Sequence, residues 1–419
     1  IEEYDFNILS DIITQVIANR DSEQAGKLLL EAFNFLKSSN PKSADAVTFF
    51  KRCMQFSGPL MAKGIEDTLM YTYNRFAAHN EVGDAPDAFG ISIADFHEAM
   101  MERQEKLPMS LNASATHDTK RGEDTRARLN VLSDLPNEFN ELVGKLTEHL
   151  LENKSYKIHP NDAFLLFQAM VGVMETDDED LETRLSGFVE KALRESKKRT
   201  NWDDPAEDYE QQARAFTLAM LDENHESNQV LKDFIHKIEP FAVLNSLVQQ
   251  LLKFTCPGVP DIYQGTELWD FSLVDPDNRR PVDYQKRQQY LKELQGEIDL
   301  AELWAERKTG KIKLWLITQL LQLRTSNRVL FDQGEYIPLA TKGSYCEHIV
   351  AYAKRKGDKW LIFAAGLGMG TLCKGDGAKL NNFDWKDTAI VLPKETGLGW
   401  KNCLDETKDA QFSSPFEIA

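Results

Sequence analysis

The chain has 419 residues, of which 42% are hydrophobic and 28% charged, and its formal net charge is -18. That length allows two or three domains with ordinary packed cores, and the composition is that of a soluble globular protein. The charge argues against a nucleic-acid partner, which calls for a basic face, and no run of 18 apolar residues is present to span a membrane.

The five cysteines, Cys53, Cys256, Cys346, Cys373 and Cys403, form no CxxC pair. An odd count without metal spacing suggests neither a disulfide framework nor a zinc site, and the expected compartment is the cytoplasm. The opening Ile-Glu-Glu-Tyr-Asp is acidic and lacks the apolar core of a signal peptide. A first residue other than Met is expected to mark a processing site or a cut.

In chain order, residues from about 5 to 56 read as helical. Ala25, Leu28, Leu29, Ala32, Phe33 and Leu36 make one apolar face at helical spacing. Ser57-Gly58-Pro59 reads as a break, and Ile65, Leu69, Tyr73 and Phe76 as a second helical face. From Met109 to Ala115 apolar and small polar residues alternate, as in a short strand ending at Thr116-His117-Asp118. Residues 129–250 return to helical periodicity. The best-marked start is Asp204-Pro205-Ala206-Glu207, where Asp204 can cap, Pro205 suits the first turn and Glu207 can close a capping box. Thr176 to Asp180 reads as an acidic loop or cap.

Pro257 to Glu267 reads as a brief buried strand between Pro and Gly, followed by a polar loop through Tyr284. A helix is expected at about 311–325. Beyond about residue 328 short alternating runs such as His348–Tyr352, Trp360–Phe363 and Ala389–Leu392 predict a small antiparallel β domain. The predicted boundaries are a helical segment with late barrel strands at 1–128, a helical insertion at 129–245, a last strand and helix at 246–327, and the β domain at 328–419.

Three stretches could carry chemistry. The first is Thr116-His117-Asp118-Thr119-Lys120-Arg121-Gly122-Glu123-Asp124. A His-Asp pair at a strand's end can present two polar groups to a ligand, as at the C-terminal face of a (β/α)8 barrel. Equally, Asp118 can cap the next helix with His117 at the surface. The second runs from Gly58 to Thr68. Glu66 and Asp67 suit a helix start, which leaves Lys63 as the better ligand candidate. The third is Tyr263-Gln264-Gly265-Thr266-Glu267 with Asp275 to Tyr284. It resembles a calcium loop for three residues but lacks the Gly at the sharp turn and the Glu at the twelfth position, so no metal is expected. A polar loop fixed by Arg–carboxylate pairs and a ligand-contacting loop are both open readings.

Together, GPLMAKGIEDTLMYTYNRF, ATHDTKRGEDTRARLNVLSDLP and PGVPDIYQGTELWDFSLVDPDNRRPVDY resemble the maltooligosyltrehalose synthases, a family of the α-amylase-type glycoside hydrolase superfamily. NEVGDAPDAFGISIADFHEA and EKALRESKKRTNWDDPAEDYE add to the likeness, which runs from about residue 50 to 330 and more loosely beyond. The resemblance implies a mainly helical α/β fold. That fold is the C-terminal part of a (β/α)8 barrel with a large helical insertion, followed by the antiparallel β domain.

The implied reaction is intramolecular. A maltooligosaccharide's reducing-end α-1,4 linkage is rearranged to α,α-1,1 by the logic of a retaining glycosidase, in a pocket closed to water. No cofactor is implied. Asp118 matches the carboxylate that binds sugar hydroxyls and favours the distorted transition state, and His117 matches the donor beside it. Lys63, Lys120, Arg121, Tyr263, Glu267, Asp275 and Arg279 fall in motif positions expected to contact sugar or wall the glucose pocket.

The family's nucleophile Asp and acid Glu lie far ahead of the Ala-Lys-Gly stretch, and residues 1–56 offer no match for either. The chain is therefore expected to be a truncated or proteolytic piece, or one chain of a two-chain enzyme whose other half is a partner, and inactive alone. Two alternatives are another hydrolase or glucanotransferase of the superfamily, and a non-catalytic α-glucan-binding protein.

Overall fold

The protein is described by a computed structural model, covering residues 44–86, 88–152, 156–176, 180–396, 399–404, 409–411 and 416–417, and six isolated positions before residue 44. The expected helical face from Ala25 to Leu36 lies outside the described residues. The chain divides into two compact units, Ile1–Asp67 and Thr68–Ala419.

In the first unit, helix α1 spans Ala44–Met61 and contains Pro59. The expected break at Ser57-Gly58-Pro59 does not occur there. Proline removes its own N–H from the ladder and crowds the preceding turn, and here it stands in the last turn, just before the α-helix ends at Met61. The α-helix gives way after Met61 to a wider turn over Ala62–Glu66, closed by the Asp67 N–H on the Ala62 carbonyl at 2.8 Å.

The second helical face fails for a different reason. Leu69–Tyr71 makes a single short turn and the chain then runs irregularly. Side-chain amides take over the backbone groups here: Asn80 Nδ2 donates to the carbonyls of Met70 and Tyr73, each at 2.8 Å. Such local bonds compete with helix.

The second unit begins its regular structure with α2 at Ile93–Lys106, capped by Ser92 and Asp95 in a reciprocal capping box. Strand β1 is Leu111–Asn112, shorter than the alternation predicts. The helical body follows: α3 Glu123–Asp134, α4 Pro136–Thr147, α5 Pro160–Val173, α6 Leu181–Ser196, α7 Glu207–Ala219 and α8 Glu226–Thr255. Helix α5 is apolar nearly all round and buried, so the others wrap it. Leu166, Met170, Leu185, Phe216 and Ile235 meet in its core.

The start of α7 differs from expectation. Its cap position is Ala206, and neither Asp204 nor Pro205 belongs to the helix. Thr200 Oγ1 accepts the Ala206 N–H at 2.9 Å, while Asn201 Oδ1 accepts the N–H groups of Asp203 and Asp204. Residues upstream thus do the work assigned to Asp204.

Strand β2, Val259–Pro260, pairs parallel with β1 in the register Leu111↔Val259. It is half-buried rather than buried, because nothing among the described residues pairs with its other edge. Gly258, at φ +122°, precedes it; a Cβ there would run into Asn112 and the Ser110 carbonyl. Helices α9 Tyr284–Glu293, α10 Leu300–Ala305, α11 Lys311–Ser326 and α12 Arg328–Gln333 follow. The predicted helix at 311–325 is α11.

Past residue 334 come β3 Glu335–Pro338, β4 Thr341–Lys342, β5 Ile349–Lys356, β6 Lys359–Gly366, the short helix α13 Met369–Cys373 and β7 Ala389–Ile390. Strands β8 Gly399–Lys401, β9 Asp409–Gln411 and β10 Phe416–Glu417 complete the described set. The sheets are antiparallel, in the orders β3-β5-β6, β10-β7-β4 and β8-β9. Strand β5 is buried on both faces from Ile349 to Lys354. Alternation sorts it between two cores: Val350 and Tyr352 face Phe331 and Phe363, while Ile349, Ala351 and Ala353 join Leu339 and Ile390.

Candidate functional site

Beyond β1 the chain turns sharply at Thr116–Thr119. Thr116 Oγ1 accepts the Asp118 N–H at 2.5 Å, which tightens the turn. Asn278 Nδ2 donates to the carbonyls of Thr116 and His117 at 3.3 and 3.4 Å, and Arg279 Nε donates to the His117 carbonyl at 3.2 Å. The loop after β2 therefore braces the His-Asp turn.

His117 is exposed and Asp118 half-buried. No described residue donates a hydrogen bond to the Asp118 carboxylate, so its oxygens are available to a ligand.

Behind the turn the chain is buried. Glu81 accepts the backbone N–H groups of Lys120 at 2.7 Å and Arg121 at 3.1 Å. Arg121 is 1% exposed and Lys120 is 2% exposed. The Arg121 guanidinium donates to the Asn80 carbonyl, and burial pulls its pKa below the ordinary value against the pull of Glu81. Arg121 and Lys120 thus stand in the scaffold under the turn rather than on its surface.

Gly122 leads into α3, where Glu123 and Asp124 are buried with Lys253 and Lys313. Lys313 Nζ lies 2.7 Å from both Glu123 Oε1 and Asp124 Oδ2. Lys253 Nζ lies 3.1 Å from Glu123 Oε2. Two cations answer two anions, which is how buried charge survives. Burial works against the Glu123 carboxylate, yet Lys313 and Lys253 hold it down to about 2. Asp124 goes the other way: burial and the neighbouring Glu123 charge raise it against Lys313. Lys313 is held above its ordinary value by the two carboxylates, against burial. Asp124 Oδ2 also accepts the Asp270 N–H at 2.7 Å, tying α3 to the loop after β2.

The remaining predicted residues lie as follows. Asp275 bonds Lys191 and lies 3.5 Å from Arg279 Nη2, so His117, Arg279 and Asp275 form one chain of contacts. Glu267 pairs with Arg287 at 3.0 Å, and Tyr263 is half-buried beside it in sequence. Lys63 belongs to the first unit, where it pairs with Asp67. The structure thus brings together His117, Asp118, Asp275 and Arg279. Sequence reasoning missed Glu81, Asn80 and the two buried lysines, whose partners are remote in the chain. Asn80 and Glu81 opened the NEVGDAPDAFG stretch and Asn278 stood in the Asp275–Tyr284 loop, so the resemblance was the signal available for these three.

No protein-family profile matches the chain. It is 34% identical over 349 residues to a Mycobacterium tuberculosis protein named as a maltooligosyl trehalose synthase, covering 82% of this chain and 41% of that protein. It superposes on the maltooligosyltrehalose synthase of Arthrobacter ramosus with a TM-score of 0.79 at 28% identity, covering 97% of this chain and 48% of that one. A hypothetical maltooligosyl trehalose synthase of Sulfolobus tokodaii gives a TM-score of 0.68 at 28% identity, over 86% of this chain and 52% of that one. The chain spans about half the length of the relatives it matches. Sequence and fold agree along most of its length in likening this chain to the maltooligosyltrehalose synthases.

Proposed function

We propose that the chain supplies the His117–Asp118 half of a (1→4)-α-D-glucan 1-α-D-glucosylmutase site. In this reaction the terminal α-1,4 linkage of a maltooligosaccharide becomes α,α-1,1, a step of trehalose formation. The observation that carries the reading is the half-buried Asp118 carboxylate, which accepts no bond from a described residue and sits on a turn braced by Asn278 and Arg279. A carboxylate held in place and left unsatisfied suits hydroxyl groups of a sugar whose ring is distorting toward an oxocarbenium ion.

In this reading β1 and β2 are the seventh and eighth strands of a (β/α)8 barrel, residues 129–245 form a helical insertion between them, and residues 328–419 form the β domain. The parallel β1–β2 pair and the position of the turn after β1 support it. His117 donates to the sugar, and Asp275 and Arg279 wall the pocket of the departing glucose. Tyr263, Glu267 and Lys63 are sugar contacts on the resemblance alone, while Lys120 and Arg121 act from behind the turn.

The nucleophile and the acid have no match in the chain, so they come from another polypeptide segment. A cytoplasmic setting is consistent with five cysteines that form no disulfide. Among the described residues no helix is long and apolar enough to cross a membrane.

The test is incubation with maltopentaose, with and without a polypeptide carrying the family's nucleophile and acid. Reducing ends should persist with the chain alone and fall when the second polypeptide is added. Rising reducing ends would establish a hydrolase instead. Conversion by the chain alone would overturn the assignment of the two carboxylates to another segment.

A further inference from the structure

A cavity of about 460 Å³ lies along the loop after β2. It is bounded by α8 and by the loop from Trp269 to Asp283, and neither His117 nor Asp118 lines it. Its size is that of a small-molecule pocket, about 300–1,000 Å³.

Its wall is chemically unusual. Four buried side chains that line it each carry a polar atom without a hydrogen-bond partner: Arg128 Nε, Glu239 Oε1, Ser272 Oγ and Asn278 Oδ1. They are between 2% and 9% exposed. Buried polar groups in folded proteins are nearly always paired, so four orphans on residues that line one cavity, each atom enclosed as it stands, point to partners met when those side chains turn toward the cavity. Glu239 Oε1 and Asn278 Oδ1 are acceptors, and the Ser272 hydroxyl serves either way, so the matching ligand is rich in hydroxyl donors.

Five carboxylates and five Lys or Arg side chains line the cavity, a balance that favours a neutral ligand over an ionic one. Trp269 adds a half-buried indole whose N–H is fixed on the Arg307 carbonyl at 2.8 Å, which leaves the ring as a rigid apolar surface.

We propose that this cavity is a second binding site, distinct from the Asp118 site, for a neutral saccharide of one or two sugar units. The sugar ring packs on Trp269 and its hydroxyls donate to Glu239 and Asn278, with small side-chain rotations bringing those atoms to the ligand. Asn278 joins this site to the other. Its amide nitrogen holds the backbone of the His-Asp turn while its oxygen faces no protein donor. The source, a free disaccharide or the end of a glucan, is separated by the test.

The experiment is calorimetric titration of the full chain with maltose, trehalose and maltotriose, and with gluconate as a charged control. Wild type and the variants Asp118→Asn, Ser272→Ala and Val243→Phe are compared, each checked for an unchanged denaturation midpoint. Val243 lines the cavity from α8, and the larger ring projects into it. Saccharide binding should survive Asp118→Asn, weaken about three- to tenfold in Ser272→Ala, as loss of one hydrogen bond implies, and vanish in Val243→Phe. Disaccharide binding as tight as that of maltotriose identifies a free disaccharide; tighter maltotriose binding identifies a glucan end.

Three results would overturn the proposal: no saccharide binding by the wild type, binding lost in Asp118→Asn but kept in Val243→Phe, or preference for gluconate. None of them bears on the maltopentaose assay, so the two readings fail separately.

Discussion

Two buried lysines of this chain should respond in opposite ways to the same substitution. Lys313 is 0% exposed and Lys354 is 1% exposed. Lys313 sits 2.7 Å from each of two carboxylates, and of these two Lys253 pairs with Glu123 alone. Lys313→Met therefore strands Asp124, whose carboxylate keeps only the Asp270 N–H. Removing one partner of a buried ion pair costs about 3–5 kcal/mol.

Asp124 can limit that cost by taking a proton, since burial already raises its pKa. The loss should thus be largest at pH 8 and shrink toward pH 5.

Lys354 is different. No described carboxylate pairs with it, and burial pulls it down to about 8. A lysine whose folded pKa is depressed costs stability at neutral pH, and stability rises as pH climbs from about 8 toward the unfolded value near 10.5. Lys354→Met should therefore stabilise, by roughly 1–3 kcal/mol at pH 7, and should flatten that alkaline rise. The assay is urea denaturation followed by circular dichroism at pH 5, 7, 8 and 9.5. A cost below about 1 kcal/mol for Lys313→Met at pH 8, or equal losses for both variants, would refute the reasoning that partners decide the outcome.

Three other outcomes are expected. Gly258→Ala should cost about 2–3 kcal/mol through the left-handed backbone and the collision with Asn112, whereas Gly144→Ala, with open space around it in α4, should gain about 0.5–1 kcal/mol; denaturation midpoints compare them. The Glu123 carboxylate, held down to about 2, contributes stability that is complete above about pH 4.5 and is lost as pH falls through about 2; Glu123→Gln should flatten this acid limb in a pH series of thermal melts. Asp118→Asn should leave the denaturation midpoint within about 0.5 kcal/mol of wild type, because no described residue donates to its carboxylate, while lowering turnover about 10²–10³-fold in the complemented enzyme, read by loss of reducing ends.

Much of the candidate site was legible because it is local. His117 and Asp118 stand at the end of an alternating run, and the Asp275–Asp283 stretch announces itself by Arg and Asp density. The structure joins the two through Asn278 and Arg279. What was not legible depends on distance along the chain. Lys313 looks like any lysine of an amphipathic helix, yet its partner Asp124 is 189 residues away. Glu81 reads as a loop acid, but it holds the backbone of residues about 40 positions on. The start of α7 fails on a subtler ground. Asp204-Pro205-Ala206-Glu207 carries a helix-start pattern, but Thr200 Oγ1 takes the Ala206 amide while Asn201 Oδ1 holds the Asp204 amide, and a local pattern cannot show which of two caps wins.

The carboxylates between Thr116 and Asp124 show how environment divides labour among identical groups. Asp118, Glu123 and Asp124 fall within seven residues of one another. Glu123 and Asp124 are enclosed and matched by two lysines, so their charge is spent on holding α3, α8 and α11 to the loop after β2. Asp118 is lifted out of that enclosure by a turn whose own backbone is satisfied by Thr116, Asn278 and Arg279. The paired acids make the platform rigid, and rigidity is what lets an unpaired acid keep one geometry instead of collapsing onto the nearest donor. The same loop that braces the turn also walls the cavity beside Trp269, so a ligand there would act on the turn through Asn278 rather than through the charge cluster. An Asn278→Ala variant should therefore disturb both sites at once, while Ser272→Ala, whose backbone bond to Gly122 is unchanged by loss of the hydroxyl, should disturb only the cavity.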